Sequence, residues 1–396
     1  SAWWWVGSAG IGSVVLALFV GPRIWAVASQ HNLHTVGDYL DLRYGPSVRG
    51  AVAALLWIGT LSILAGQLIA LAWVLDVVAG IPKVYGCLIG GLVMTTYFAA
   101  GGLLTSAWVN LVQLVVLVLG FAIAVPFALS SAGGLGAVLD TGTQISSDYM
   151  NFWRGGDSGW TYVGLLVPAF IISPGLLQKV YGARNATTVR WGVGLSAVVL
   201  LIFAAVPPLL GMIARVNHPE LLNHELALPT VLVYELPVVL GSIGLAAIFS
   251  AEISSADAIL FMLATSLSQD MYRRFLRPDA SDASVLRVSR IAAVGGGAIG
   301  VALAILLPSV IDALTIFYAL LSVSLLVPVL AGIYSKKGGV PEAMAAIASG
   351  VMVLLFVHFH TGGEGYGAFN PTLVGLAAAG ISFCVVLISR RGSRSL

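Results

Sequence analysis

The sequence predicts an all-α protein, a polytopic transmembrane helical bundle, and three observations carry the prediction. Of 396 residues, 59% are hydrophobic and only 9% are charged, with a mean hydropathy of +0.98. Apolar stretches of about 18 or more residues recur from end to end, each long enough as a helix to cross a hydrocarbon core about 30 Å thick. Lysines and arginines gather in alternate connections between them. The net charge of +2 includes no run of like charges, so a nucleic-acid partner is not expected. Cys87 and Cys384 both lie within apolar stretches and suggest neither a disulfide framework nor a metal site.

Eleven spans are expected, in order. The first, 2–28, opens on Trp3, Trp4 and Trp5, an interfacial aromatic belt, and lacks the basic start and cleavage site of a signal peptide. Spans 51–79, 84–100 and 106–130 follow. Span 159–177 carries Pro168 mid-span and Pro174 near its end; each removes a backbone donor, which fits either a broken helix lining a cavity or ordinary proline kinks. Next come 191–214 and 237–266. Span 290–311 holds Gly295 to Gly300, read as close helix packing because no strand precedes them to make a dinucleotide fingerprint. Spans 313–334, 340–359 and 370–389 complete the set. The polar connections near 131–158, 215–236 and 267–289 are too short for a soluble domain, so 1–396 reads as one transmembrane domain.

If the first span runs inward, Arg23, Arg43, Arg49 and every Lys or Arg from 179–190, 273–290, 336–337 and 390–394 lie on the cytoplasmic side. Only Lys83, Arg154 and Arg215 face out. One missed or invented span would mix the two groups, so the bias supports both the span count and a cytoplasmic C-terminus.

The seventh span contains "SAEISSADAILF", with Glu252, Ser254, Ser255 and Asp257 at membrane depth. Unpaired polar groups are costly there. Ala251, Ser254 and Ser255 have i, i+3, i+4 spacing and share one helical face. Two adjacent hydroxyls can offer oxygens to a small hard cation, or they can bond carbonyls one turn earlier and let helices pack closely. Two acids beside them favour a functional patch.

The stretch from Ala251 to Tyr272, "AEISSADAILFMLATSLSQDMY", resembles the eighth core helix of the sodium/solute symporter family. "TVGDYLDLRYG" (Thr35 to Gly45), "GGLLTSAWVNLVQ" (Gly101 to Gln113), "SPGLLQKVYGARN" (Ser173 to Asn185) and "LLVPVLAGIYSKKGG" agree with it in the family's order. The resemblance covers essentially the whole chain. It implies a LeuT-type fold of two inverted five-helix repeats around a midplane site, extra C-terminal helices at about 340–390, and Na+ as coupling ion. It also implies sodium ligation by the Ala251 carbonyl and the Ser254 and Ser255 hydroxyls, with Asp257 steadying the site; the role of Glu252 stays open. Thirteen-helix relatives have two further spans before the first one here. The resemblance therefore implies a first repeat incomplete at its N-terminus, and residues 1–396 alone are expected to insert without sodium-driven uptake.

Some residues depart from the family pattern. Asn110 stands where an acid is common, which puts an ion-exit role there in doubt, and Lys179 stands where Arg is common. Leu166, Ala169 and Phe170 replace polar residues of the sugar-transporting branch. A sugar, which needs several hydrogen bonds, is disfavoured. Gln67, Pro168, Ala169, Phe170, Ser322 and Ser324 are the candidates for substrate contact or gating, with interhelical bonding as the competing role for the polar three. His31 and His34 read as solvated loop residues and His358 to His360 as an interfacial helix end, so no metal beyond sodium is expected.

The expected function is sodium-coupled import of a small organic solute by alternating access at the inner membrane, with that solute and the bilayer as partners. A transporter-derived sensory module is the alternative. No enzyme is expected, since no nucleophile and base face a cavity.

Overall fold

Apolar runs of this length satisfy their backbone groups in a bilayer only as helices or closed barrels. In the computed structural model, which describes residues 2–145, 151–153, 159–335 and 337–392, every regular element among the described residues is helical. Side chains are described except at 99–111, 270 and 391–392. Ten helices are long and apolar enough to cross a membrane among those residues.

Helix α1 (Trp3–His31) contains a π-helical turn at Leu16–Val20. Short α2 (Val36–Tyr44) is started by a capping box between Thr35 and Asp38. Then come α3 (Pro46–Ala79), α4 (Lys83–Ser131) and α5 (Gly134–Ile145). Helix α4 joins the expected spans 84–100 and 106–130: the backbone stays helical through the intervening residues for 49 residues, about 73 Å at 1.5 Å per residue. The segment between the pair holds no proline, so no backbone donor is missing from the ladder there.

The expected span 159–177 is divided into α6 (Gly159–Ile171) and α7 (Pro174–Tyr181). The break falls before Pro174, not at Pro168, because a proline pushes the preceding residue out of the helical region: Ser173 has ψ 119°. Likewise 191–214 becomes α8 (Ala186–Phe203) and α9 (Val206–Asn217), broken ahead of Pro207 and Pro208. Helix α10 (Ala227–Tyr234) precedes α11 (Val238–Thr265), which continues as a π-helix over Ser266–Leu276. The last four are α12 (Asp282–Leu306), α13 (Val310–Tyr334), α14 (Val340–Thr361) and α15 (Pro371–Gly392).

By its contacts the chain divides into two compact units that interleave in sequence. The first comprises Ser1–Gly59, Gly156–Ala204 and Phe317–Leu396. In it α1 packs on α6 and α8, and α14 pairs with α15. At the α1–α6 crossing Gly12 is required, since a Cβ there would stand 2.6 Å from the Val167 carbonyl oxygen. Leu165, Leu166, Ala319, Val323 and Leu354 form one apolar core of this unit. Helix α2 is tied in by polar bonds: Arg43 donates to the Ser335 carbonyl at 2.7 Å, and the Tyr44 hydroxyl to the Pro328 carbonyl at 2.8 Å. Burial pushes the Tyr44 phenol up to about 12, so it stays a donor.

The second unit comprises Thr60–Gly155 and Ala205–Ile316. Its contacts are dominated by α11 against α4, with α12 packing on both. The expected close packing of the glycine run holds at Gly297, where a Cβ would meet Thr95, and at Gly300, where one would meet Leu64, but not at Gly295, where a Cβ would meet nothing within 4 Å. A core around Leu210, Ile213, Val231 and Leu232 seats α9 and α10 together.

Candidate functional site

Helix α11 runs unbroken through 251–257, so Ala251, Ser254 and Ser255 do share a face. In an intact helix the Ala251 carbonyl makes its ladder bond and keeps one lone pair. The two hydroxyls are the informative groups. Ser242 and Thr265 on the same helix donate to carbonyls four residues earlier, each at 2.7 Å. Ser254 and Ser255 do not; neither hydroxyl is engaged by any group among the described residues. Ser254 is half-buried and Ser255 exposed. Among the described residues neither hydroxyl bonds its own helix, which leaves both oxygens available to a ligand within that set.

The two acids behave differently. Asp257 is buried and engaged, within electrostatic reach of Tyr97 on α4. Among the described residues, neither the buried Oε2 of Glu252 nor the buried Oε1 of Gln113 on α4 has a hydrogen-bond partner. No cluster of three or more His, Cys, Asp or Glu with metal-binding geometry occurs among the described residues. A hydroxyl and carbonyl set of the kind α11 offers suits a hard monovalent cation, not a transition metal.

The remaining candidates divide. Gln67 is half-buried on α3, with no side-chain bond among the described residues. Ser322 and Ser324 on α13 are buried. Ser322 donates across to the Leu165 carbonyl at 3.4 Å, and Ser324 donates to the Leu320 carbonyl of its own helix at 2.6 Å. Both therefore have structural partners. Pro168 sits inside α6, Ala169 is buried, and the Phe170 ring lies 5.5 Å from that of Tyr318. That aromatic surface offers a solute apolar contact, not hydrogen bonds. Asn110 lies in α4, its side chain outside the described residues, as are Arg154, Lys336 and Arg394 of the charge count.

Two constellations were not anticipated from sequence, both in the connection after α9. The Glu225 carboxylate accepts from Trp73 Nε1 at 2.5 Å and from the Val310 backbone N–H at 2.6 Å. His218 stands 2.8 Å from Glu235 Oε1, while Asn217 donates to Glu235 Oε2 at 2.6 Å. Their signal was a polar, charged segment, "RVNHPELLNHEL", which composition alone assigns to a solvated loop.

Comparison with known proteins adds to this geometry. The family model described as the sodium:solute symporter family matches residues 2–350. The chain is 27% identical to the high affinity choline transporter 1 of Homo sapiens over 377 residues, covering 90% of this chain and 63% of that protein. It is 26% identical to the sodium/pantothenate symporter of Escherichia coli (strain K12), covering 95% of this chain and 81% of that one. A solved structure of a Na+-coupled sialic acid symporter, substrate-bound and outward-open, superposes with a TM-score of 0.76 at 18% identity. It covers 98% of this chain and 86% of that one.

Proposed function

The chain belongs to the sodium:solute symporter family, with its LeuT-like fold, and from that premise we propose that it is part of a sodium-driven importer of a small organic solute. The carrying observation is the pair of unengaged hydroxyls, Ser254 and Ser255, on one face of α11 with the Ala251 carbonyl. In this reading the three contribute oxygens to the coupling ion, and Asp257, buried behind them, steadies that turn of helix. Glu252 is a carboxyl beside the ion's path. Two hydroxyls and a carbonyl cannot replace a sodium ion's whole hydration shell, so further oxygens come from elsewhere in the complete protein.

Relatives named for choline, pantothenate and glucose span a wide range of solutes. The apolar set Leu166, Ala169 and Phe170 on α6 supports a solute poorer in hydroxyl groups than a sugar, since each unmet sugar hydroxyl would leave a desolvation penalty. Gln67 is the polar candidate for solute contact, whereas Ser322 and Ser324 are occupied in structural bonds. The chain is multi-pass, and the Lys and Arg distribution supports a cytoplasmic C-terminus and an inner-membrane location. No observation favours the sensory alternative.

The test is uptake into proteoliposomes of the full-length protein across a panel of radiolabelled amino acids, monocarboxylates, vitamins, quaternary amines and sugars. An inward sodium gradient should drive accumulation of at least one non-sugar solute, and an equal potassium gradient should not. Accumulation indifferent to the cation, or of sugars alone, would refute the reading.

A further inference from the structure

The connection between α9 and α11 carries acids on every side of one imidazole. His218 follows directly on α9, its backbone N–H closing that helix on the Ala214 carbonyl at 2.8 Å. Its ring Nε2 lies 2.8 Å from Glu235 Oε1, and its Nδ1 lies 3.5 Å from Glu220 Oε1. Glu235 is held in turn by Asn217, which also donates to the Ser131 hydroxyl at the end of α4, at 3.2 Å. The ring of Tyr234 stands 6.1 Å from the imidazole. From α3, Asp76 lines the same cavity of about 470 Å³, together with Glu220, Thr230 and Tyr234. The neighbouring cation, Arg215 of α9, is turned to the Pro219 carbonyl at 2.8 Å. Helix α4 brings only the Ser131 hydroxyl to this cluster among the described residues.

We propose that His218, Glu220 and Glu235 form a proton-binding site that clasps this connection to the end of α9. A neutral imidazole has one N–H and one lone pair. Both of its ring nitrogens stand near a carboxylate oxygen here, so either neutral tautomer would leave a lone pair close to one. The imidazolium places positive charge beside both. The 2.8 Å contact is an approach by distance in which Nε2 makes no aligned hydrogen bond, so its strength depends on charge more than on direction. Glu235, with its side chain 17% exposed, carries most of the clasp, and Glu220, at 74%, contributes weakly through solvent. The cavity gives protons a route from water. Uptake of a proton thus adds an ion pair between the end of α9 and Glu235, three residues before α11 begins at Val238, beside the Asn217–Glu235 hydrogen bond, and loss of the proton removes that pair and loosens the intervening segment.

This site stands apart from the transport reading, and the test reads backbone protection instead of uptake. Full-length protein in nanodiscs is followed by hydrogen–deuterium exchange at about pH 5.5 and about pH 8, either side of the ordinary imidazole range, with rates corrected for intrinsic exchange. In the parent, residues 218–235 should exchange about tenfold more slowly at the lower pH. His218→Gln, which keeps a donor but cannot take a proton, should abolish that difference, as should Glu235→Gln. Peptides from α11 and α12 should keep their protection in both variants, which establishes that they fold. A parent with no pH-dependent protection of 218–235, or a His218→Gln protein that retains the parent's difference, would overturn the proposal.

Discussion

At the scale of single residues, the distinction that matters is between hydroxyls that are spent and hydroxyls that are free. A serine in an apolar helix normally bonds a carbonyl one turn back, and Ser242, Ser324 and Thr265 do so. Ser254 and Ser255 leave that bond unmade among the described residues, which keeps their oxygens available to a ligand. In the full-length protein, Ser254→Ala or Ser255→Ala should raise the sodium concentration for half-maximal uptake about tenfold, the equivalent of about 1.4 kcal/mol for one lost ligand. Solute affinity at saturating sodium should change little. Unaltered sodium dependence in both alanine variants would remove α11 from the ion site. The pair itself was legible in the sequence from its spacing and its acidic neighbours. That Ser322 and Ser324 are bonded elsewhere was not, because one hydroxyl in an apolar stretch looks the same whether its partner is a neighbouring carbonyl or a solute.

Among the elements, the connection between α9 and α11 is anchored by carboxylates. Glu225 joins it to α3 through the Trp73 indole and to the first turn of α13 through the Val310 N–H. A helix N-terminus has unsatisfied N–H groups and a partial positive charge, so a carboxylate is well suited there. Lys83 donates to the Leu307 carbonyl at 2.6 Å close by, which ties the start of α4 to the end of α12. Glu225→Ala strips two donors of their acceptor and should cost about 2 to 3 kcal/mol, whereas Glu225→Gln keeps one acceptor oxygen and should lose about half as much. Thermal unfolding followed by tryptophan fluorescence would rank the three proteins; equal midpoints would mean that the bridge carries no stability. Spans were legible because hydropathy over about 20 residues is a strong signal, and the break before Pro174 because proline acts on its neighbour. The π-helical stretches at Leu16–Val20 and Ser266–Leu276 were not, since they depend on which carbonyl each N–H selects and not on composition. Nor was the Glu225 bridge, whose partners lie 152 and 85 residues away in the chain.

For the molecule as a whole, the two compact units draw on segments that alternate along the sequence, a division that no composition shift marks. The charge pattern acts at this scale too, and it bears on α4. A helix of 49 residues is more than twice as long as a hydrocarbon core about 30 Å thick. Crossing once, it would reverse the sidedness of everything after it and put most later Lys and Arg outside, against the positive-inside bias. Two crossings keep sixteen of the nineteen basic residues on one side. In the bilayer, therefore, α4 should bend or break near its middle, at the cytoplasmic surface, so that its two halves cross separately. In a background with Cys87 and Cys384 replaced by serine, Thr105→Cys should react with an impermeant maleimide from the same side as Arg184→Cys, and Asp140→Cys from the opposite side. Reaction of Arg184→Cys from the side opposite to Ser29→Cys, with Thr105→Cys protected from both, would show a single crossing and would invert the orientation inferred for the C-terminus.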